Sequence, residues 1–106
     1  MSVIDIHVQE PYYSSIELRE KNVEGRLAKG RFKNIKEGDY IPINNTMRRE
    51  VARIAIYPTF RDMLIMEGVL NTIPDAKTLD EAEAVYYKFY SLSDEKEFSV
   101  CAIKFK

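Results

Sequence analysis

The last segment of the chain restricts the fold most. From Phe98 to Phe105 apolar side chains occupy both alternating faces, with Phe98, Val100 and Ala102 on one and Cys101, Ile103 and Phe105 on the other. A strand of this kind has no face to give to water, so it belongs at the centre of a sheet, with core on one side and a helix on the other. Such a strand needs flanking strands and covering helices, and the rest of the chain supplies them. Ile4, Ile6 and Val8 alternate with Asp5, His7 and Gln9, which predicts a half-buried strand. Pro11 suits a first helical turn, and Tyr12, Tyr13 and Ile16 follow at helical spacing, so a short helix is expected to about Arg19.

Val23 to Leu27 reads as a second strand, beyond which Lys29, Arg31 and Lys33 share one face of an extended segment and Phe32 takes the other. Lys36-Glu37-Gly38-Asp39 is a turn into Tyr40–Ile43, where Pro42 implies an edge or bulged strand. Asn44-Asn45-Thr46 connects to a longer strand, about Arg49 to Tyr57, with Ala52, Ile54 and Ile56 expected inside. Thr59 with Asp62 three residues on marks a helix start, and Gly68 its stop. Thr78-Leu79-Asp80-Glu81 is a full capping box, followed by a stripe of Leu79, Ala82, Tyr86 and Phe89 that runs to about Tyr90. About five strands and three helices give an α+β domain whose strands curl into a small barrel.

At 106 residues the chain fits one domain, and no repeat, low-complexity tract or linker divides it. Cys101 is the only cysteine, which fits a reducing cytosol and a place in the core. No apolar run approaches the ~20 residues of a membrane span, and the N-terminus lacks a signal-peptide layout, so a soluble, cytoplasmic protein is expected. His7 is the only histidine and has no ligand cluster around it, so neither a metal nor another cofactor is expected.

A formal net charge of -1 conceals an asymmetry. Between residues 19 and 36 stand Arg19, Lys21, Arg26, Lys29, Arg31, Lys33 and Lys36 against only Glu20 and Glu24, a local excess of five positive charges. Such a patch attracts anions on a near-neutral protein, and phosphate contact stands beside a merely solubilising role for the run from Lys29 to Lys36. Strand alternation puts Glu24 and Arg26 on one face about 7 Å apart, either as an ion pair at a barrel seam or as two walls of a polar cleft. Lys21 is a surface lysine or, if desolvated, a base near neutrality. Glu67 falls on the inward stripe with Met63 and Leu64 and needs a partner, for which Arg26 or Lys21 is available, unless it only ends its helix. Tyrosines 12, 13, 86, 87 and 90 sit mostly at core spacing, and Tyr12, beside the basic strand, is the best placed to stack on a base.

Four words in order complete the reading. They are Gln9-Glu10-Pro11-Tyr12; Lys21-Asn22-Val23-Glu24-Gly25-Arg26-Leu27 with the Lys36-x-Gly38-Asp39 turn; Tyr57-x-x-Phe60-Arg61-x-x-Leu64-x-x-Glu67-Gly68; and Val85-Tyr86-x-x-Phe89-Tyr90. In these the chain resembles the ASCH family, small domains with a PUA-like β-barrel fold. The resemblance implies binding of RNA or a nucleoside, and Lys21, Glu24, Arg26, Lys29, Arg31, Lys33, Arg61 and Tyr12 are the expected contact residues. One branch of the family hydrolyses N-acetylated cytidine with a lysine, a threonine and a glutamate. Lys21 and Arg26 fill the places of that branch's lysine and arginine, but Glu24 stands where it has threonine. Glu67 and Asp75 both remain open as the counterpart of its glutamate, so Lys21, Glu24 and Glu67 are the catalytic candidates. The alternatives are therefore an amidohydrolase of this kind or a weak ribonuclease, and, from a different class, a protein-interaction module using the acidic C-terminal half.

Overall fold

A computed structural model describes residues 6–106. In chain order the elements are α1 (Tyr12–Glu17), β1 (Val23–Leu27), one stretch of 3-10 helix (Gly30–Asn34), β2 (Tyr40–Ile43), β3 (Met47–Tyr57), α2 (Phe60–Glu67), α3 (Val69–Thr72), α4 (Leu79–Tyr86), α5 (Leu92–Phe98) and β4 (Val100–Phe105). The four strands form one curled antiparallel sheet in the order β1-β4-β3-β2, a half-barrel with β4 in its interior. That is the place the two-faced apolar pattern requires. Cys101, Ile103 and Phe105 join a cluster with Ile6, Val8, Ile16, Ile41, Ile43 and Val51 on one face. Val100 and Ala102 join Val23, Leu27, Phe60, Met63, Leu64 and Tyr86 on the other.

The expected first strand begins at residues outside the described ones. Within them Ile6 makes a single parallel bridge to Ile43, and Ile6 and Val8 are buried while His7 is exposed, so the alternation of faces is present. Pro42 lies on edge strand β2, as its missing N–H demands.

In place of a barrel of about five strands and three helices, the described residues form a four-strand half-barrel with five α-helices, and three further expectations are corrected. Lys29, Arg31 and Lys33 do not share an extended face: Gly30, at φ +59°, turns the chain into the 3-10 segment, where residues two apart point away from each other. In β3 the register shifts between Val51 and Arg53, and a bulge of this kind resets which side chains face inward. Val51 is therefore fully buried in place of the predicted Ala52, while Ile54 packs against the core as expected and Ile56, on the same face as Ile54, is 59% exposed. Phe98 ends α5 and does not begin the last strand. The Ser91-x-x-Asp94 spacing that caps α5 was a legible signal, and the Ser91 side chain accepts from the Asp94 N–H at 3.0 Å.

The other caps match their sequence words. Thr59 accepts from the Asp62 N–H at 3.0 Å, and Thr78 from the Glu81 N–H at 3.1 Å, while the Glu81 carboxylate reaches back to the Lys77 N–H. The start of α2 is held a second time, by a buried carboxylate. Glu95 accepts from the Phe60 N–H at 2.7 Å and from the Tyr87 hydroxyl at 2.8 and 2.9 Å, joining α5, α2 and the end of α4. Removing it strands a buried donor. Glu95→Ala is expected to cost about 1–3 kcal/mol, read as a lower midpoint in urea with unchanged slope; an unaltered midpoint would show that the tie is dispensable.

Candidate functional site

Among the described residues the sheet ends at β1, whose second edge carries no strand, and a cleft of about 190 Å³ opens there. Its base is Lys21 with the strand residues Glu24, Gly25 and Arg26. One side is formed by His7, Val8, Gln9 and Tyr12, and the other by Val85, Tyr86, Phe89 and Tyr90 from the end of α4 and the turn after it. Phe89 was expected in the core. It is 54% exposed because α4 stops at Tyr86, and it borders the cleft.

At the base lies a chain of three charges. The Glu24 carboxylate takes Lys21 Nζ at 3.1 Å on one oxygen and Arg26 on the other, through Nη2 at 2.6 Å and Nε at 2.9 Å. Strand alternation brings Glu24 and Arg26 to one face, as their spacing predicts. The Lys21 side chain is only 1% exposed, so it is no surface lysine. Its ammonium also donates to the Val23 carbonyl at 2.8 Å and to the Thr72 carbonyl, so that with Glu24 each of its three protons has an acceptor. Burial lowers the Lys21 pKa, and the Glu24 charge works against that lowering. Burial alone would raise the Glu24 carboxyl, but Lys21 and Arg26 outweigh it and hold the group below the ordinary carboxylate value.

Two cations on one carboxylate leave a net positive charge, and Arg26 carries it toward the opening. Its side chain is the most exposed of the three, at 19%. Nη2 also donates to the His7 carbonyl at 2.8 Å, which leaves Nη1 outside these bonds. Opposite stands a polar group without a partner: among the described residues Tyr86 has the one buried side-chain oxygen that makes no hydrogen bond. Burial, and then the Glu24 charge, push this phenol well above its ordinary value, so it keeps its proton. Its ring stacks on Phe60 at 4.4 Å, which fixes it.

With this geometry in hand, comparison places the chain. The model of the ASCH domain matches residues 6–106. The chain belongs to the ASCH domain family. Among solved structures, this ASCH domain is similar to the crystal structure of hypothetical protein PH0355, with a TM-score of 0.94 and 33% identity over 99% of this chain and 98% of that one. It is also similar to the solution NMR structure of protein PF0455 from Pyrococcus furiosus, with a TM-score of 0.83 and 35% identity over 99% of this chain and 96% of that one. No curated protein matches it.

The ASCH domain brings some of the sequence candidates together and separates others. Lys21, Glu24, Arg26 and Tyr12 meet in the cleft, with the Tyr12 ring 5.7 Å from Lys21 Nζ. Glu67 is turned inward as its helical position requires, but its partners are neither Arg26 nor Lys21. Arg53 grips it with Nη1 at 2.9 Å and Nη2 at 2.6 Å, and Tyr57 donates to the same carboxylate, all from β3 and away from the cleft. Asp75 is exposed and does not line the cleft, although its charge reaches Tyr12 and Lys21. Arg61 is held outside by Asp80 at 2.9 Å and Glu83 at 3.2 Å. Lys29 lies over the Phe98 ring at 4.8 Å, and Arg26 and Arg31 lie over Phe32 at 5.7 Å each, so Arg31 neighbours the cleft through that ring. Lys33 is exposed and does not line the cleft. Sequence reasoning favoured packing over stacking for Tyr86 and Tyr90; Tyr86 does pack in the core, and both also line the cleft. No group of three or more His, Cys, Asp and Glu able to hold a metal occurs among the described residues, and no described helix is long and apolar enough to cross a membrane.

Two outcomes follow from these charges. Glu24→Gln leaves Lys21 and Arg26 side by side in a buried place and is expected to destabilise the fold by about 3–5 kcal/mol. Because the folded carboxyl sits below its ordinary value of 4.5, its stabilisation is complete above that pH and is lost as pH falls through the folded value. Glu24→Gln should therefore flatten the acid limb of the stability profile; equal slopes in the two proteins would contradict it. Tyr86→Phe removes a buried hydroxyl that has no partner and should raise stability by ~1 kcal/mol, about 4 °C in a thermal melt, whereas a fall would show that the hydroxyl is satisfied in solution.

Proposed function

We propose that this ASCH domain binds one unpaired base, as a nucleoside or within single-stranded RNA, in the cleft at Lys21, Glu24 and Arg26. The observation that carries the reading is the excess positive charge at Arg26, presented beside aromatic walls in a cleft too small for a duplex. A volume equal to about six waters suits a single heterocycle. Tyr12, Phe89 and Tyr90 supply faces for stacking, and Arg26 a planar fork for a carbonyl or phosphate oxygen. Arg31, over the same Phe32 ring as Arg26, would meet the phosphates of a strand leaving the cleft, with Lys29 and Lys33 of the same segment as further cations. Arg61, already between two carboxylates, is withdrawn from the contact set.

Binding is favoured over hydrolysis by the state of Lys21. An ammonium whose three protons all have acceptors offers no lone pair, and a base must offer one. Glu24 in place of the threonine of the hydrolytic branch points the same way, as does Glu67, whose oxygens are committed to Arg53 and Tyr57.

The test is calorimetric titration with nucleosides and with a short single-stranded RNA. Arg26→Ala is expected to weaken both by about tenfold or more, and N-acetylated cytidine is expected to be bound without turnover. RNA affinity should fall with log salt at a slope of roughly -2 to -3, flattened by about 2 units when Lys29, Arg31 and Lys33 are all replaced by Ala. Undiminished nucleoside binding by Arg26→Ala would refute the cleft as the site, and an unchanged slope in the triple variant would remove the loop from it.

A further inference from the structure

The free edge of β1 offers more than side chains. In an antiparallel ladder, alternate residues give both backbone groups to the partner strand, and the residues between them point both groups the other way. Residues paired in β1 and β4 have numbers that add to a constant, and the Phe105 N–H donates to the Asn22 carbonyl while the Ala28 N–H donates to the Ser99 carbonyl. The even-numbered residues, Glu24 and Arg26 included, therefore bond to β4. Val23, Gly25 and Leu27 face the open edge. Two of these three have an edge partner: the Val23 carbonyl takes Lys21 Nζ, and the Leu27 carbonyl takes the Lys29 N–H. Neither backbone group of Gly25 makes a side-chain or loop hydrogen bond among the described residues, and Gly25 lines the cleft. The unpartnered Tyr86 hydroxyl lies 3.0 Å from where a Cβ on residue 25 would stand, and Met63 Sδ 2.8 Å from it, so a side chain at residue 25 would press on both.

We propose that the Gly25 N–H and C=O, with the Tyr86 hydroxyl, read the Watson–Crick edge of an unpaired base, which takes the place of a missing fifth strand. The proposal rests on the reading of the cleft as a base site. A strand residue facing an open edge holds a donor and an acceptor side by side, the arrangement it uses to exchange two hydrogen bonds with a neighbouring strand. A nucleobase carries the complementary pair on adjacent atoms of its Watson–Crick edge: N3–H beside O4 in uracil, N3 beside the N4 amine in cytosine. The Tyr86 proton, which has no partner, is then available to a remaining carbonyl oxygen. Because the base pairs with backbone, the site recognises an edge that duplex RNA hides, and so selects single strands.

The test uses the full chain, labelled with ¹⁵N, titrated with uridine, cytidine and their 3-methyl and 5-methyl derivatives. A 3-methyl group blocks the Watson–Crick edge, and a 5-methyl group does not. The expected result is that at least one unmodified nucleoside and its 5-methyl form bind and shift the Gly25 amide resonance, while the 3-methyl form loses about tenfold or more in affinity. Tyr86→Phe, which keeps the ring, should weaken the same nucleoside by a similar factor; full retention would overturn the part assigned to the hydroxyl. If the 3-methyl forms bind as tightly as the unmodified ones, the edge reading is overturned and the cleft remains a base site. If no nucleoside binds at millimolar concentration, the base site itself is refuted.

Discussion

One buried carboxylate organises this end of the molecule. Glu24 holds Lys21 and Arg26 on its two oxygens, and each cation ties down another piece of chain: Lys21 the Thr72 carbonyl at the end of α3, Arg26 the His7 carbonyl of the N-terminal segment. A buried charge is tolerated only when it is paired and its remaining hydrogen bonds are filled, so the three side chains are mutually obligatory. Around them the wall formed by His7 to Tyr12 and the segment after α3 are brought to the edge of β1, and a cleft results from the same contacts that satisfy the charges.

The second constraint is the edge itself. A strand edge left bare is a template for association, and here it is managed group by group: by a lysine ammonium at Val23, by a turn at Leu27 and by a cover of aromatic residues over Gly25. The covering tyrosine hydroxyl comes within 3.0 Å of where a Cβ on residue 25 would stand, so the missing side chain eases its approach. Glu67 and Glu95 solve a different problem. Each neutralises donors of neighbouring elements, Arg53 and Tyr57 in one case and the start of α2 in the other, and so each secures helix placement at a distance from the cleft.

What was legible follows from the range of the interaction. The caps at Thr59 and Thr78, the edge character of Pro42 and the two-faced β4 depend on a few adjacent residues, and the structure has them as read. The common face of Glu24 and Arg26 was legible for the same reason. The faces of β3 were not, because the bulge at Val51 is set by pairing with Phe105, more than fifty residues away. The extended course expected for Lys29 to Lys33 failed at one dihedral of Gly30, which permits either path.

The sequence by itself determined the charges, the periodicities and the family words: a central strand, capped helices, and a lysine just before a strand that carries a glutamate and an arginine on one face. Only the tertiary structure decided which partner each charge takes. Glu67 could as well have met Arg26 as Arg53 on helical spacing alone, and only the placement of α2 against β3 chose between them. The desolvation of Lys21, the orphaned hydroxyl of Tyr86 and the open backbone of Gly25 likewise exist only once α3, α4 and β1 have converged, because burial and the absence of a partner belong to surroundings and not to residue type.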